Sequence, residues 1–152
     1  MANMLFILND PPYGTERSYN ALRLARHALK KGEGRETVRV FLMGDAASCA
    51  KAGQKVPQGY YNVSDMLVMV ARAGGPIGVC GTCMDARGIA EAELVAGAHR
   101  STMDELTDWT LEADKVIVFG IKAPFCGINA DQELIARFAR EHSDRFIGWC
   151  SV

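Results

Sequence analysis

The stretch Met4-Leu5-Phe6-Ile7-Leu8-Asn9-Asp10-Pro11-Pro12 decides the fold class. Its unbroken apolar run, with no polar alternation, is what a strand buried on both faces requires, and the Asn-Asp-Pro-Pro run that stops it is turn chemistry. A sheet covered on both faces needs helices between its strands. From Thr15 to Lys31 the residues Ala21, Leu22, Ala25, Ala28 and Leu29 recur at helical spacing, with Thr15 placed to cap and Gly32 following a basic last turn.

The alternation continues down the chain. Thr37 to Met43 is β-branched and apolar and ends at Gly44-Asp45, before a short Ala-rich helical stretch, Ala46 to Ala52. Gln54 to Asn62 reads as a polar loop carrying Pro57, Gly59, Tyr60 and Tyr61. Met66, Leu67, Val70 and Ala71 then mark a helix capped by Asn62 or Ser64 and stopped by Gly74-Gly75. Ile77 to Cys80 is a short apolar strand meeting Gly81. Between Thr82 and Ala98 the pattern predicts a helical turn and a second short helix broken at Gly88. Ser101-Thr102-Met103-Asp104 resembles a capping box with Asp in place of Glu, opening a helix with Met103, Leu106 and Trp109 inward. Val116 to Phe119 is the next buried strand. A loop, a helix from about Ala130 to His142 with Leu134, Ile135 and Phe138 on one face, and a strand Phe146 to Cys150 follow. Strands alternating with helices imply right-handed crossovers, hence a three-layer α/β/α fold with a doubly wound, mostly parallel sheet of about five strands. The expected organisation is one α/β domain over residues 1–119, with residues 120–152 as a helix-strand extension that is not an independent domain.

Composition narrows the function classes. The chain has 152 residues, 49% apolar and 23% charged, which suits one globular domain with a core. Seventeen basic against eighteen acidic residues give a net charge of −1 without a Lys/Arg block, so nucleic acid is not expected as a partner. The apolar runs are far shorter than a bilayer span and no basic, then apolar, leader opens the sequence, so no membrane association and a cytoplasmic location are expected. Five cysteines, an odd number, then point to free thiols in a reducing compartment.

Reactive groups in open parallel sheets collect at the carboxyl ends of the strands. That rule gathers Asn9 to Gly14, Gly44-Asp45 and Cys80 to Cys83, so Tyr13, Asp45 and Cys80 are expected to share one edge. Cys80 stands where a strand gives way, across Gly81, to a helix start at Thr82 or Cys83, and free amide N–H groups there favour a thiolate. Arg87 would add to that effect and Asp85 oppose it. Against the reactive reading stands a bland one, in which both cysteines are small buried apolar residues. A dithiol of the thioredoxin type is a rival, although the Trp and Pro that typically surround its motif are absent here. Structural zinc needs four ligands, and no second Cys-x-x-Cys or His-x-x-x-His pair exists, so neither metal nor cofactor is expected unless assembly between subunits supplies ligands. Cys49, beside Ala46, Ala47 and Ala50, reads as packing. Cys126 and Cys150 have no evident partner, and His27, His99 and His142 read as surface residues of helices. Met66 and Met69 read as core or interface filler. Tyr60 and Tyr61 read as loop packing, with a lid or subunit contact as the alternative.

Read together, Met4 to Asp10, Phe41-Leu42-Met43-Gly44-Asp45-Ala46 and Val79-Cys80-Gly81-Thr82-Cys83-Met84-Asp85-Ala86-Arg87-Gly88-Ile89 resemble the DsrE/DsrF-like family over residues 1–119. The resemblance implies a DsrEFH-like sheet, assembly as a homo-trimer or homo-hexamer, and sulfur relay, with a cysteine persulfide passed between donor and acceptor proteins. In its sulfur-relay members the active cysteine lies seven residues before an Arg-Gly pair, which here selects Cys80 by its distance from Arg87-Gly88. Cys83 has no counterpart in those members. It is expected to assist or resolve, with Gly81, Thr82, Arg87, Tyr13 and Asp45 as pocket or anion-stabilising residues. Residues 114–152, including His142 to Trp149, resemble instead a βαβ fragment of a metal-dependent amidohydrolase barrel, without its His-x-His pair. That departure suggests a junction at about Ala113 to Gly120.

Overall fold

A computed structural model describes residues 2–33 and 35–119, together with 122–123, 128–129, 137, 140–141 and 146–149. Most of the predicted helix Ala130 to His142, and with it Cys126, His142 and Cys150, lies outside the described residues.

The elements run β1 (Asn3–Leu8), α1 (Arg17–Gly32), β2 (Thr37–Leu42), a 3-10 turn Gly44–Ala50, α2 (Val63–Arg72), β3 (Ile77–Cys80), α3 (Gly81–Asp85), a 3-10 turn Glu91–Glu93, β4 (Ala98–Ser101), α4 (Met103–Glu112) and β5 (Lys115–Phe119). Beyond them come β6 (Lys122–Ala123), β7 (Ile128–Asn129) and β8 (Phe146–Trp149). One sheet has the order β4-β3-β2-β1-β5-β8, and each neighbouring pair is parallel. The first five strands in chain order give the expected doubly wound sheet, and β8 adds a sixth strand beside β5. β6 and β7 pair separately and antiparallel.

Alternation along each strand sorts side chains to the two faces, with a period of two. Phe6, Leu8, Val38, Val40, Leu42, Ile77 and Val79 pack under α1 and α2, against Ala21, Leu22, Ala25, Leu67 and Val70. Leu5, Phe41, Cys80 and Val116 face the other way, under Leu106 and Trp109 of α4. Trp109 meets Phe41 edge-on at 6.2 Å, and the Arg39 guanidinium stands 5.7 Å from its ring centroid. Arg39 is thus a buried-face cation held by an aromatic ring and by Glu112 at 2.6 Å, rather than an outward-facing charge.

Several local expectations are corrected. The region from Thr82 to Ala98 holds no second α-helix. After α3 the chain makes the 3-10 turn and enters β4, so His99 stands on a strand. Ala98-His99-Arg100-Ser101 has neither a β-branched run nor apolar alternation. Its strand character comes from pairing with β3, in the register Ile77↔Ala98 to Cys80↔Ser101. The cap of α4 is Thr102 rather than Ser101, its hydroxyl accepting from the Glu105 N–H at 3.3 Å, and Met103 is exposed. Thr102 caps through its hydroxyl alone, because the Glu105 side chain bonds Ser101 and His99 instead of returning to the cap. Thr15 does not cap α1: the helix starts at Arg17 after Glu16, with no side-chain cap bond. The left-handed residue ending α1 is Glu33, at φ 49°, rather than Gly32. Asn62 caps α2 as expected, accepting from the Asp65 N–H at 3.2 Å.

Candidate functional site

Cys80 is the last residue of β3 and the residue immediately before α3, 6% exposed, with its side chain in the cluster under α4. Four apolar residues at β3, buried on both faces, fix where the strand ends, and Gly81 begins the helix without a gap. With only five residues, α3 offers the sulfur nearby N–H groups rather than a developed helix dipole. The Cys80 Sγ lies 3.3 Å from the Thr82 hydroxyl. Three residues on, Cys83 is half-buried and its Sγ accepts the Gly44 N–H at 3.1 Å. Gly44, at φ 56°, opens the 3-10 turn after β2, so the carboxyl ends of β2 and β3 meet at Cys83.

The two thiols are driven in opposite directions. Burial alone would raise the Cys80 pKa. Hydrogen bonds from the Cys83 thiol, the Thr82 hydroxyl and the N–H groups of Cys83 and Thr82 outweigh it and hold Cys80 below the ordinary thiol range. Cys83 is held above that range by burial and by donating to Cys80, with the Gly44 N–H and the Arg87 charge opposing. Cys80 is thus the thiol whose surroundings favour ionisation, and Cys83 the one whose surroundings oppose it.

The remaining expected residues divide. Arg87 donates to Asp45 Oδ1 at 2.6 Å and to the Cys83 carbonyl at 3.0 Å, so its charge bears on Cys83 rather than on Cys80. Asp45 joins the site through that ion pair. Tyr13 is engaged elsewhere. Its hydroxyl donates to Gln54 Oε1 at 2.6 Å, and its ring lies 5.9 Å from Tyr61, which stacks on Tyr19 at 4.1 Å. Tyr61 thus packs the loop, while Tyr60 is 71% exposed. The Asp85 carboxylate, expected to oppose the thiolate, is paired two-handedly with Arg100 at 2.8 and 2.7 Å. Arg100 was not among the expected residues, because β4 itself carries no strand signal. Nor were Ser101, the register partner of Cys80 on β4, and the Glu105 and His99 side chains grouped with it. The Ser101 hydroxyl donates to Glu105, and His99 Nε2 meets the same carboxylate at 2.9 and 3.0 Å.

Cys49 is fully buried and its thiol is pushed up to about 12, by burial above all, with Asp10 adding and a Ser18 hydrogen bond opposing. Packing is its role. Among the described residues, no group of three or more His, Cys, Asp or Glu is placed to hold a metal ion, and no helix is long and apolar enough to cross a membrane.

The model of the DsrE/DsrF-like family matches residues 2–119. Protein YchN of Escherichia coli K12 is 41% identical over 119 residues, covering 78% of this chain and 100% of YchN. The crystal structure of the E. coli protein superposes with a TM-score of 0.73 at the same identity and coverage. MTH1491 of Methanobacterium thermoautotrophicum, a protein of unknown function, superposes with a TM-score of 0.63 at 13% identity, covering 78% of this chain and 100% of its own, which shows the fold alone. The matched region ends at Phe119, and the likeness of residues 114–152 to an amidohydrolase fragment is not borne out.

Proposed function

Because the chain belongs to the DsrE/DsrF-like family, we propose that it is a sulfur-relay protein, carrying sulfane sulfur as a persulfide on Cys80 and passing it to an acceptor protein. The observation that carries this reading is the opposed treatment of the two thiols: Cys80, at a strand end and 3.3 Å from the Thr82 hydroxyl, is moved toward ionisation, and Cys83, three residues on beside the Gly44 N–H, is moved away from it. A carrier needs one nucleophilic sulfur at neutral pH. In the transfer step the Cys80 thiolate attacks the outer sulfur of a donor persulfide, R–S–SH. The Cys80 Sγ–S bond forms, the donor S–S bond breaks, and the donor leaves as the thiolate RS⁻ with no net oxidation. Delivery to an acceptor thiolate is the same exchange in reverse.

Thr82 and Gly81 shape the space around Cys80, while Arg87 and Asp45 fix the position of Cys83 and of the turn after β2. Ile7, Met43 and Val118 are only partly covered on the α4 face, which favours assembly as a homo-trimer or homo-hexamer with the cysteines near a subunit contact. Mass spectrometry after incubation with a low-molecular-weight persulfide tests the carrier role. Cys80→Ser is expected to take up no sulfur at that position.

The Cys-x-x-Cys spacing across the start of α3 favours a second reading, a dithiol oxidoreductase that forms a reversible disulfide. Cys83→Ser separates the two: a carrier still loads sulfur at Cys80, whereas a dithiol enzyme loses its activity. A non-catalytic binding or scaffold module predicts that Cys80 and Cys83 both label slowly in the native protein.

A further inference from the structure

Gly81 follows Cys80 directly and takes up helical conformation, with no positive φ that would call for glycine. Alanine is the better residue for a helix at such a position. Glycine gives room there to one group: a Cβ at residue 81 would lie 2.9 Å from Arg100 Cζ and Nε and 3.0 Å from Nη2. The Arg100 guanidinium is thus laid flat on the backbone between Cys80 and α3. Two features hold it there. The register Cys80↔Ser101 puts Arg100 on the strand next to β3, and Asp85 takes Nη1 and Nη2 two-handedly. That pairing leaves Nε with no hydrogen-bond acceptor assigned to it among the described residues. Arg87, the cation that spacing had suggested, is occupied by Asp45 and the Cys83 carbonyl.

We propose that Arg100 is the residue that attracts and orients an anionic sulfur group at Cys80, the incoming persulfide of a donor or the terminal sulfur once loaded, and that Gly81 is glycine to let the guanidinium lie there. This inference rests on the carrier reading for its substrate class. The titratable groups acting on Arg100 are Asp85 above all, then Glu91 and Cys80, and each favours its cationic form. Asp85 orients the fork by taking Nη1 and Nη2, and Nε is left able to donate to a second anion beside Gly81. Lysine at residue 100 would keep the charge and lose the planar fork.

The test compares two alkylating probes that differ only in charge, iodoacetate and iodoacetamide, on the reduced full-length protein, with modification read at the Cys80 peptide. The ratio of the two rates reports the positive charge at the sulfur, and it requires no sulfur donor. In Arg100→Gln the ratio is expected to fall about two- to fivefold, the range for an exposed charge pair. Arg100→Lys is expected to restore part of it. Gly81→Ala is expected to lower it with the charge still present, since the guanidinium is displaced rather than removed. Continued protection of Cys49 from both probes certifies the fold of each variant. Should Arg100→Gln fail that control, the wild-type ratio at low and high salt decides instead: a ratio that falls with salt supports the inference, and one independent of salt overturns it. Equal ratios in wild type, Arg100→Gln and Gly81→Ala overturn it as well. A wild-type protein that takes up no sulfur yet shows the Arg100-dependent ratio leaves this inference standing and removes the carrier role.

Discussion

At the scale of single residues, the central feature is a pair of thiols three positions apart whose protonation is set by each other. Cys83 is the first of the neighbours that lower the Cys80 pKa, so removing its thiol leaves Cys80 with the Thr82 hydroxyl and two N–H groups. Alkylation of Cys80 in Cys83→Ala is expected to slow about three- to tenfold at neutral pH, the lost thiolate being partly offset by a more basic sulfur. The Cys80 pH-rate profile should move upward with it. Cys49 provides the contrast: in the native protein at pH 8 it is expected to remain unlabelled and to react only on unfolding, as peptide-level mass spectrometry would show. Its pKa is higher in the fold than in the open chain, where the ordinary thiol value is 9.0. The neutral thiol therefore supports the fold fully below pH 9, and that support is lost as pH rises toward 12. Cys49→Ala should show a shallower fall in stability across that window. Cys80 was legible in the sequence because strand end, glycine and a second cysteine lie within four residues. Arg100 was not, since its place depends on a strand pairing that short-range patterning does not carry.

Among the elements, the join between β4 and α4 is where local signals failed and tertiary contacts decide. Among the described residues β4 pairs with β3 alone and stands at the edge of the sheet, with no apolar alternation of its own. It is tied down by Glu105, which accepts from Ser101 and His99. Burial would raise the Glu105 pKa, but those hydrogen bonds, with the charges of His99 and Arg39, hold it below the usual carboxylate range. Its support for the fold is therefore present above the unfolded glutamate value of 4.5 and lost as pH falls through the lower folded value. Glu105→Gln is expected to cost about 1–2 kcal/mol at pH 7 in chemical denaturation, and less as the medium becomes acid. Gly97, which turns the chain into β4, has φ 90°, and a Cβ there would lie 2.5 Å from the Ala71 Cβ on α2. Gly97→Ala is expected to destabilise by about 1–3 kcal/mol, through left-handed strain and a clash with a helix that cannot retreat. The helices α1, α2 and α4 were legible because their apolar stripes repeat over two turns or more. The cap of α2 was read correctly at Asn62, whereas those of α1 and α4 were not, because Thr15 and Ser101 are as suitable chemically as the residues that are used.

Over the whole molecule, the winding reverses between β1 and β5: β2, β3 and β4 build outward on one side, and β5 and β8 on the other. Continuous apolar runs at Met4 to Leu8 and Val116 to Phe119 made this layout legible, since only a strand covered on both faces has such a sequence. Cys80 lies at the end of β3, away from that switch, on the face only partly covered by α4. An assembled protein would cover Ile7, Met43 and Val118 there, and light scattering on the purified chain is expected to give three or six times the 16.5 kDa of one copy. A mass of one copy would remove that part of the proposal and leave the thiol chemistry untouched. The most direct test of the central claim is the mass of the Cys80 peptide after the native protein has been incubated with a persulfide donor and freed of excess reagent. One sulfur atom is expected to be gained at Cys80, lost on treatment with a reducing thiol and absent from Cys49. A Cys80 peptide of unchanged mass, in a protein whose Cys80 alkylates readily, would contradict that claim.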